Sequence, residues 1–466
     1  MMNILAILLL LLYVVFYTIT FQQVLSGKIK FLLYYVAIFL PIYTVFLTIT
    51  FNFLDSSLLI KFIQYSKEVV ILSAFGLMLL GSKNILSKGW KVTFLDSLFI
   101  SFFVLTLFFF LLPLGEAALV NKAVYLKNIL LIVIFYFFGR NVQMSFSDWN
   151  KVFQVIFVVA IFATFLVSLE KILGIHFHTV VDYPNFLIKF QEQEPAGTYG
   201  LLWTFEAEGG KPRYGSFFAH PLELSSAMLI VGAAASIYLL SVKFKTNKSI
   251  YFVVFGCAIL SVLFAYSRAS LAAFILMMIF MAFMLQYYKI LFATLIGVLF
   301  MAIYIWFFAS NEIRYFAIDT LTFQNSSSIT HLIDWFAAIE SIINNPQGIG
   351  LAMSGNAAGV ERDIAIGGEN QFLVYGVQMG LLGMMIYLGL IIIGIRNGWK
   401  AYRMSVKREE GIVPFVAAAT KFGLLLPLFT ANAEVYIYIS LISWWLIGAA
   451  ETEYQRKRQS KLILST

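Results

Sequence analysis

Three segments of this chain place polar or charged residues at the edges of apolar runs, where an ionisable side chain is expensive without a partner or a use. Arg213 lies in Lys-Pro-Arg-Tyr-Gly-Ser-Phe-Phe-Ala-His-Pro, where a polar stretch returns to apolar sequence. Arg268, in Tyr-Ser-Arg-Ala-Ser, falls at a turn so tight that two apolar runs meet with hardly any connection. One reading of each arginine is a side chain snorkelling to an interface. The sharper reading is a permanently charged, forked donor matched to a diphosphate. The third segment runs from His331 through Trp335 to Asn345-Pro346-Gln-Gly-Ile-Gly350, then Gly368-Glu369-Asn370 before the next apolar run. Trp335, Ile339, Ile342 and Ile343 recur at helical spacing, which predicts a short amphipathic surface helix stopped by Asn-Pro and followed by a glycine-bearing turn. A structural role accounts for that helix, but less well for Gly-Gly-Glu-Asn opening a membrane span.

The elements that position these residues follow from composition. Of 466 residues, 61% are hydrophobic and 12% charged, and mean hydropathy is +0.88. Apolar runs of about 20 residues recur along the chain, enough to cross a hydrocarbon layer as helices. The expected fold is all-α, a polytopic membrane bundle of about 12–14 transmembrane helices forming a single domain over 1–466. Expected spans include 249–266, 371–395 and 434–450, and two long extracytoplasmic loops cover 174–216 and 309–370. The first apolar run lacks a basic leader and a small-x-small cleavage site, so an uncleaved helix is expected. Lys28, Lys30, Lys83, Lys88, Lys91, Arg140, Lys151, Lys243, Lys245 and Lys248 fall in alternate loops, with the 396–411 turn and the basic tail on the same side. By the positive-inside rule that side is cytoplasmic, as is the C-terminus. The net charge of +8 is therefore a topology signal, and no nucleic-acid partner is expected.

The same bookkeeping puts both polar loops and all four histidines outside, away from ATP and nucleotide-activated donors. Chemistry there needs a substrate already activated and attached to the membrane. No phosphate-cradling glycine loop, His-Glu-x-x-His or Cys-x-x-Cys occurs. His176 and His178 lack a third ligand, so no metal is expected, and Cys257 reads as a small buried residue. Asp182, Glu192, Glu194, Glu206 and Glu208 read as a solvated cap or as partners for sugar hydroxyls. Further candidates are His220, either packing or site residue, and Arg314. Lys421 lies deep in an apolar run, where structural pairing with Glu434 is the better reading.

Taken together, the segments from Arg213 to Gly383 resemble the O-antigen polymerase and ligase superfamily. The matching pieces are Arg213 to Ser216, the Ser267-Arg268 turn, Trp335 to Gly350 ending in Pro-x-Gly-x-Gly, and Glu369-Asn370 followed by Gly380-Leu-Leu-Gly383. Two positions depart from it: Glu369 stands where the ligases carry histidine, and His331 where an arginine commonly starts the surface helix. Both favour a polymerase over a ligase. The resemblance implies transfer of a glycan from undecaprenyl diphosphate to a sugar hydroxyl at the periplasmic face of the bacterial inner membrane, without cofactor or metal. It implies lipid-linked oligosaccharides as donor and acceptor, membrane lipids around the protein, and a chain-length-regulating protein as partner. Arg213 and Arg268 would hold the diphosphate, Glu369 would be the general base, Asn370 would orient the acceptor or the carboxylate, and His331 would be a reserve base or phosphate contact. The alternatives are ligation to a lipid A core and transport of the lipid-linked oligosaccharide.

Overall fold

The structure, a computed structural model, describes residues 2–81, 92–241, 248–311, 314–315, 317–318, 322, 326–357, 359–361 and 363–463. Lys83, Lys88, Lys91, Lys243 and Lys245, used above for orientation, lie outside the described residues. Of the described residues 79% are helical and 1% lie in strands, and eleven described helices are long and apolar enough to cross a membrane. It is an all-α, multi-pass membrane bundle. The expected span at 249–266 is the shorter helix Lys248–Phe264, and that at 434–450 is the front of Ile437–Ile463, which continues into a charged tail. Backbone packing divides the chain into two compact units, one holding loop 174–216 and the other loop 309–370.

The first unit comprises Met1–Val92, Phe137–Arg268 and Ile437–Gly448. Helix Phe146–Leu173 starts at a reciprocal Ser145–Asp148 cap, with Lys30 Nζ 2.8 Å from the Asp148 carboxylate, and ends at Gly174 in the left-handed conformation. Pro221–Leu240 is buried along nearly all its length; its run Gly-Ala-Ala-Ala-Ser lets Lys248–Phe264 pack closely against it. Loop 174–216 carries its own core. Two short helices, Phe177–Val180 and Tyr183–Phe190, and the antiparallel pair Glu206–Ala207 and Lys211–Pro212 surround buried Phe186, Phe205 and Tyr214. Glu192 and Glu194 are exposed as expected of a solvated cap, but Glu206 is buried and accepts the Thr198 N–H at 2.9 Å.

The second unit comprises Thr93–Tyr136, Ala269–Tyr436 and Ala449–Thr466. Its decisive element is the helix Gln371–Arg403, broken at Gly380 (φ 70°, ψ −173°) into arms 371–379 and 381–403. The ring of Phe372 lies 5.6 Å from that of Tyr387, and Tyr375 lies 4.6 Å from Tyr387. In an unbroken helix residues fifteen apart would stand about 22 Å apart. The arms therefore fold back on one another, and the expected span at 371–395 is corrected: the longer arm alone, at about 1.5 Å per residue, has the length to cross a membrane. The amphipathic helix expected from Trp335 onward is present as Ser326–Asn344. Ala338 and Ile342 pack with Val377, whereas Ile339 and Ile343 are exposed, forming with Ile329, Ile333 and Phe336 an apolar stripe on the opposite face.

Candidate active site

On the surface helix Ser326–Asn344, His331 and Asp334 stand three residues apart and so share a face. Glu369 precedes the short arm, and its Oε2 lies against His331 Nδ1; about a third of each side chain is accessible. Gly367 makes this meeting possible. It is left-handed at φ 62°, and a Cβ there would stand 2.9 Å from the Asp334 carbonyl and 3.0 Å from the Ala338 Cβ. The glycines before Glu369-Asn370 thus let the chain lie against the surface helix. Asp334 holds its proton above the usual aspartate range, first through burial and then through the neighbouring Glu369 charge, with His331 opposing. Trp335, one residue on, packs edge-on against Phe429 at 4.7 Å, and its buried indole N–H has no acceptor among the described residues. Asn370 caps the short arm: its Oδ1 accepts the N–H groups of Phe372 (3.0 Å) and Leu373 (3.2 Å).

The Pro-x-Gly-x-Gly turn after the surface helix plugs into the helix break. Ile349 N–H donates to the Val377 carbonyl (2.9 Å), Gly350 N–H to the Gln378 carbonyl (3.1 Å), and Leu381 N–H to the Pro346 carbonyl (3.0 Å). Polar backbone freed by a break must find partners away from water. Here one turn supplies them, while the Gln378 side chain donates to the Ser354 carbonyl (2.6 Å) and accepts the Ala352 N–H (3.1 Å). A Cβ on Gly380 would sit 2.3 Å from the Pro346 carbonyl oxygen, and one on Gly348 2.5 Å from the Gly380 nitrogen. The helix bearing His331 and the arm headed by Glu369 are locked through these two glycines.

In the first unit, the Arg213 segment is held by its backbone. Arg213 N–H donates to the Phe205 carbonyl (2.8 Å), and Tyr214 N–H to the Phe264 carbonyl (3.3 Å), four residues before Arg268. Ser216, at φ 56°, donates its N–H to Glu170 Oε2 (2.8 Å), and Glu170 Oε1 accepts the Phe177 N–H (2.7 Å). The buried Glu170 thereby ties both ends of loop 174–216 to the end of its helix. Arg213 and Arg268 are half-buried, the latter opening helix Arg268–Leu285. Neither family models nor curated proteins match this chain.

The remaining candidates separate. His220 is the N-cap of Pro221–Leu240, its Nδ1 accepting the Glu223 N–H at 3.3 Å, which is the packing reading. His176 and His178 are buried among Tyr199, Tyr214, Phe205 and Tyr183, and burial pushes their protonation down to about 4 and about 3. Among the described residues no group of three histidine, cysteine or carboxylate ligands is gathered. Arg314 is half-buried, with its N–H on the Ser310 carbonyl (3.0 Å). Lys421 meets Glu434 at 3.4 Å, as its place in an apolar run required. Sequence reasoning missed Asp334, although its i+3 spacing from His331 was available, and Glu170, which nothing in its neighbourhood marked out.

Proposed function

We propose that this protein is a glycosyltransferase that joins undecaprenyl-diphosphate-linked oligosaccharide repeat units on the periplasmic face of the bacterial inner membrane. The observation that carries the reading is the His331–Glu369 pair with Asp334 beside it. An imidazole against a carboxylate, both still partly accessible, suits removal of a proton from a sugar hydroxyl. The bond from the anomeric carbon of the donor sugar to the lipid diphosphate is already activated and breaks as the acceptor oxygen bonds to that carbon, so the protein has only to accept the hydroxyl proton and neutralise the departing lipid diphosphate. In this reading Glu369 takes the hydroxyl proton, His331 stabilises and shares it, and the Trp335 indole is a donor for a sugar oxygen. Arg213 and Arg268 bind the diphosphate. A lipid-linked substrate is supported by the surface helix itself, whose face opposite His331 and Asp334 is an exposed apolar stripe fit for lipid.

One observation favours a transport reading: interrupted helices are common where transporters bind cargo. Here the Val377 and Gln378 carbonyls and the Leu381 amide are all taken by the 346–350 turn, so the break seats a loop rather than offering backbone to a passenger. Another favours ligation, because His331 restores an imidazole next to the position where the ligases carry histidine. The test is purified protein given lipid-diphosphate oligosaccharide alone, then with lipid A core added, without nucleotide or ion gradient. Extension of the lipid-linked glycan is expected. Products on the core would indicate ligation, and movement of the lipid between leaflets without extension would replace the reading with transport.

A further inference from the structure

Lys421 and Glu434 form a buried ion pair in the second unit, their side chains 1% and 5% exposed. Lys421 stands near the middle of helix Ile412–Thr430. Desolvating both charges is expensive, and apolar side chains of similar volume often pack as stably, so helix packing alone does not explain the pair. The other bonds of Glu434 give it a use. Its Oε1 accepts the Tyr387 hydroxyl at 2.6 Å, and Tyr387 belongs to arm 381–403. Its backbone N–H donates to Gln371 Oε1 at 3.3 Å, and Gln371 is the first residue of arm 371–379. Glu434 therefore holds both arms of the interrupted helix at once. Gln371 is itself buried, adjoins the cap residue Asn370 and lies two residues from Glu369.

We propose that Lys421 and Glu434 act as a positioning clasp: the pair fixes arm 371–379 against arm 381–403 and thereby sets where Glu369 meets His331. Lys421 supplies the positive charge that allows a carboxylate to stay among buried side chains, and the carboxylate gives Tyr387 a charge-assisted acceptor. The consequence for turnover rests on the role proposed above for Glu369; the clasp itself does not.

The experiment uses the full chain in nanodiscs, as Lys421→Met, Glu434→Ala, Tyr387→Phe and the double variant Lys421→Met/Glu434→Gln. Peptide-level hydrogen exchange is followed over 371–379, with 94–111 of the same unit as reference. In each charge-breaking single variant, exchange over 371–379 is expected to rise about tenfold or more while 94–111 is unchanged. Tyr387→Phe gives a smaller rise at the same place. The double variant returns to within about threefold of the parent, because glutamine keeps an acceptor for Tyr387 and no charge is left unpaired. Glycan extension should follow the same order, with kcat reduced about tenfold in the singles, KM held, and the double restored. Unchanged exchange over 371–379, an equal rise over 94–111, or a double variant that recovers neither readout would overturn the clasp. Expected exchange in a parent protein that extends no glycan leaves the clasp standing and removes the glycosyl-transfer reading.

Discussion

Glu170 and Glu369 mark opposite uses of a carboxylate in the two long loops. Both oxygens of Glu170 are consumed by backbone amides, those of Phe177 and Ser216, and the side chain is buried. Glu369 faces an imidazole and keeps about a third of its side chain accessible. The first arrangement stiffens a loop and leaves nothing for a reactant; the second leaves a proton acceptor within reach of one. The Arg213 segment is thus tied down through its backbone, while His331 and Glu369 are brought together by helix placement. Where a polar group spends its hydrogen bonds separates scaffold from chemistry better than residue type does.

The sharpest way to break that contrast is to make the same change in both loops. Glu369→Gln is expected to lower glycan extension by about 10²–10⁴ with expression and melting temperature retained, since it removes the acceptor and little packing. Glu170→Gln should do the reverse, costing about 2–3 kcal/mol because an amide nitrogen would face a backbone N–H, and reducing extension only as far as folded protein is lost. Product sizing alongside thermal unfolding distinguishes them, and similar profiles for the two variants would erase the distinction. Next in size is Gly380→Ala. A methyl in the left-handed region, 2.3 Å from the Pro346 carbonyl, should cost about 3 kcal/mol and cut extension through misplaced Glu369. Normal melting and normal product length would show that the glycine lock does not set the site.

Fold class was readable because runs of about 20 apolar residues admit no other structure in a membrane. The pairing of Lys421 with Glu434 was readable for a related reason: a cation deep in an apolar run needs an acid, and Glu434 stands at the turn that follows the run. The break at Gly380 was not, since apolar residues flank it on both sides, from Met379 to Leu381 and Leu382, and only the backbone angle betrays the turn. Nor was the meeting of His331 with Glu369, thirty-eight positions apart, which depends on the close approach that Gly367 permits. Glu206 was misread because a long polar loop with several acids looks solvated, although this one folds around its own aromatic core.

The histidines of loop 174–216 sharpen the comparison through pH. Burial lowers His176 to about 4 and His178 to about 3, against about 6.5 in an unfolded chain. Between those values the unfolded chain binds more protons than the folded one, so stability is complete above about 6.5 and falls as the medium is acidified towards 4. Each histidine contributes up to about 1.4 kcal/mol per pH unit in that window. Melting temperature should drop between pH 7 and 5, and His176→Phe should flatten the slope by one histidine's share. An unchanged slope would mean that this ring is not held neutral by the fold.

The smallest effect concerns Asp334. Its proton is held above the usual aspartate range first by burial and then by the negative charge of Glu369, with His331 opposing. Asp334→Asn keeps the shape and removes that titrating group from beside the pair. Any contribution of Asp334 to the acid side of the kcat/KM profile for glycan extension should vanish, with the plateau rate changed by less than about threefold. Glu170, spent on two amides, provides the control, because a substitution beside it should leave that side of the profile as it is. A plateau lowered by about 10² or more would make Asp334 itself the essential group, and the division of labour between the two loops would lose its chemical half.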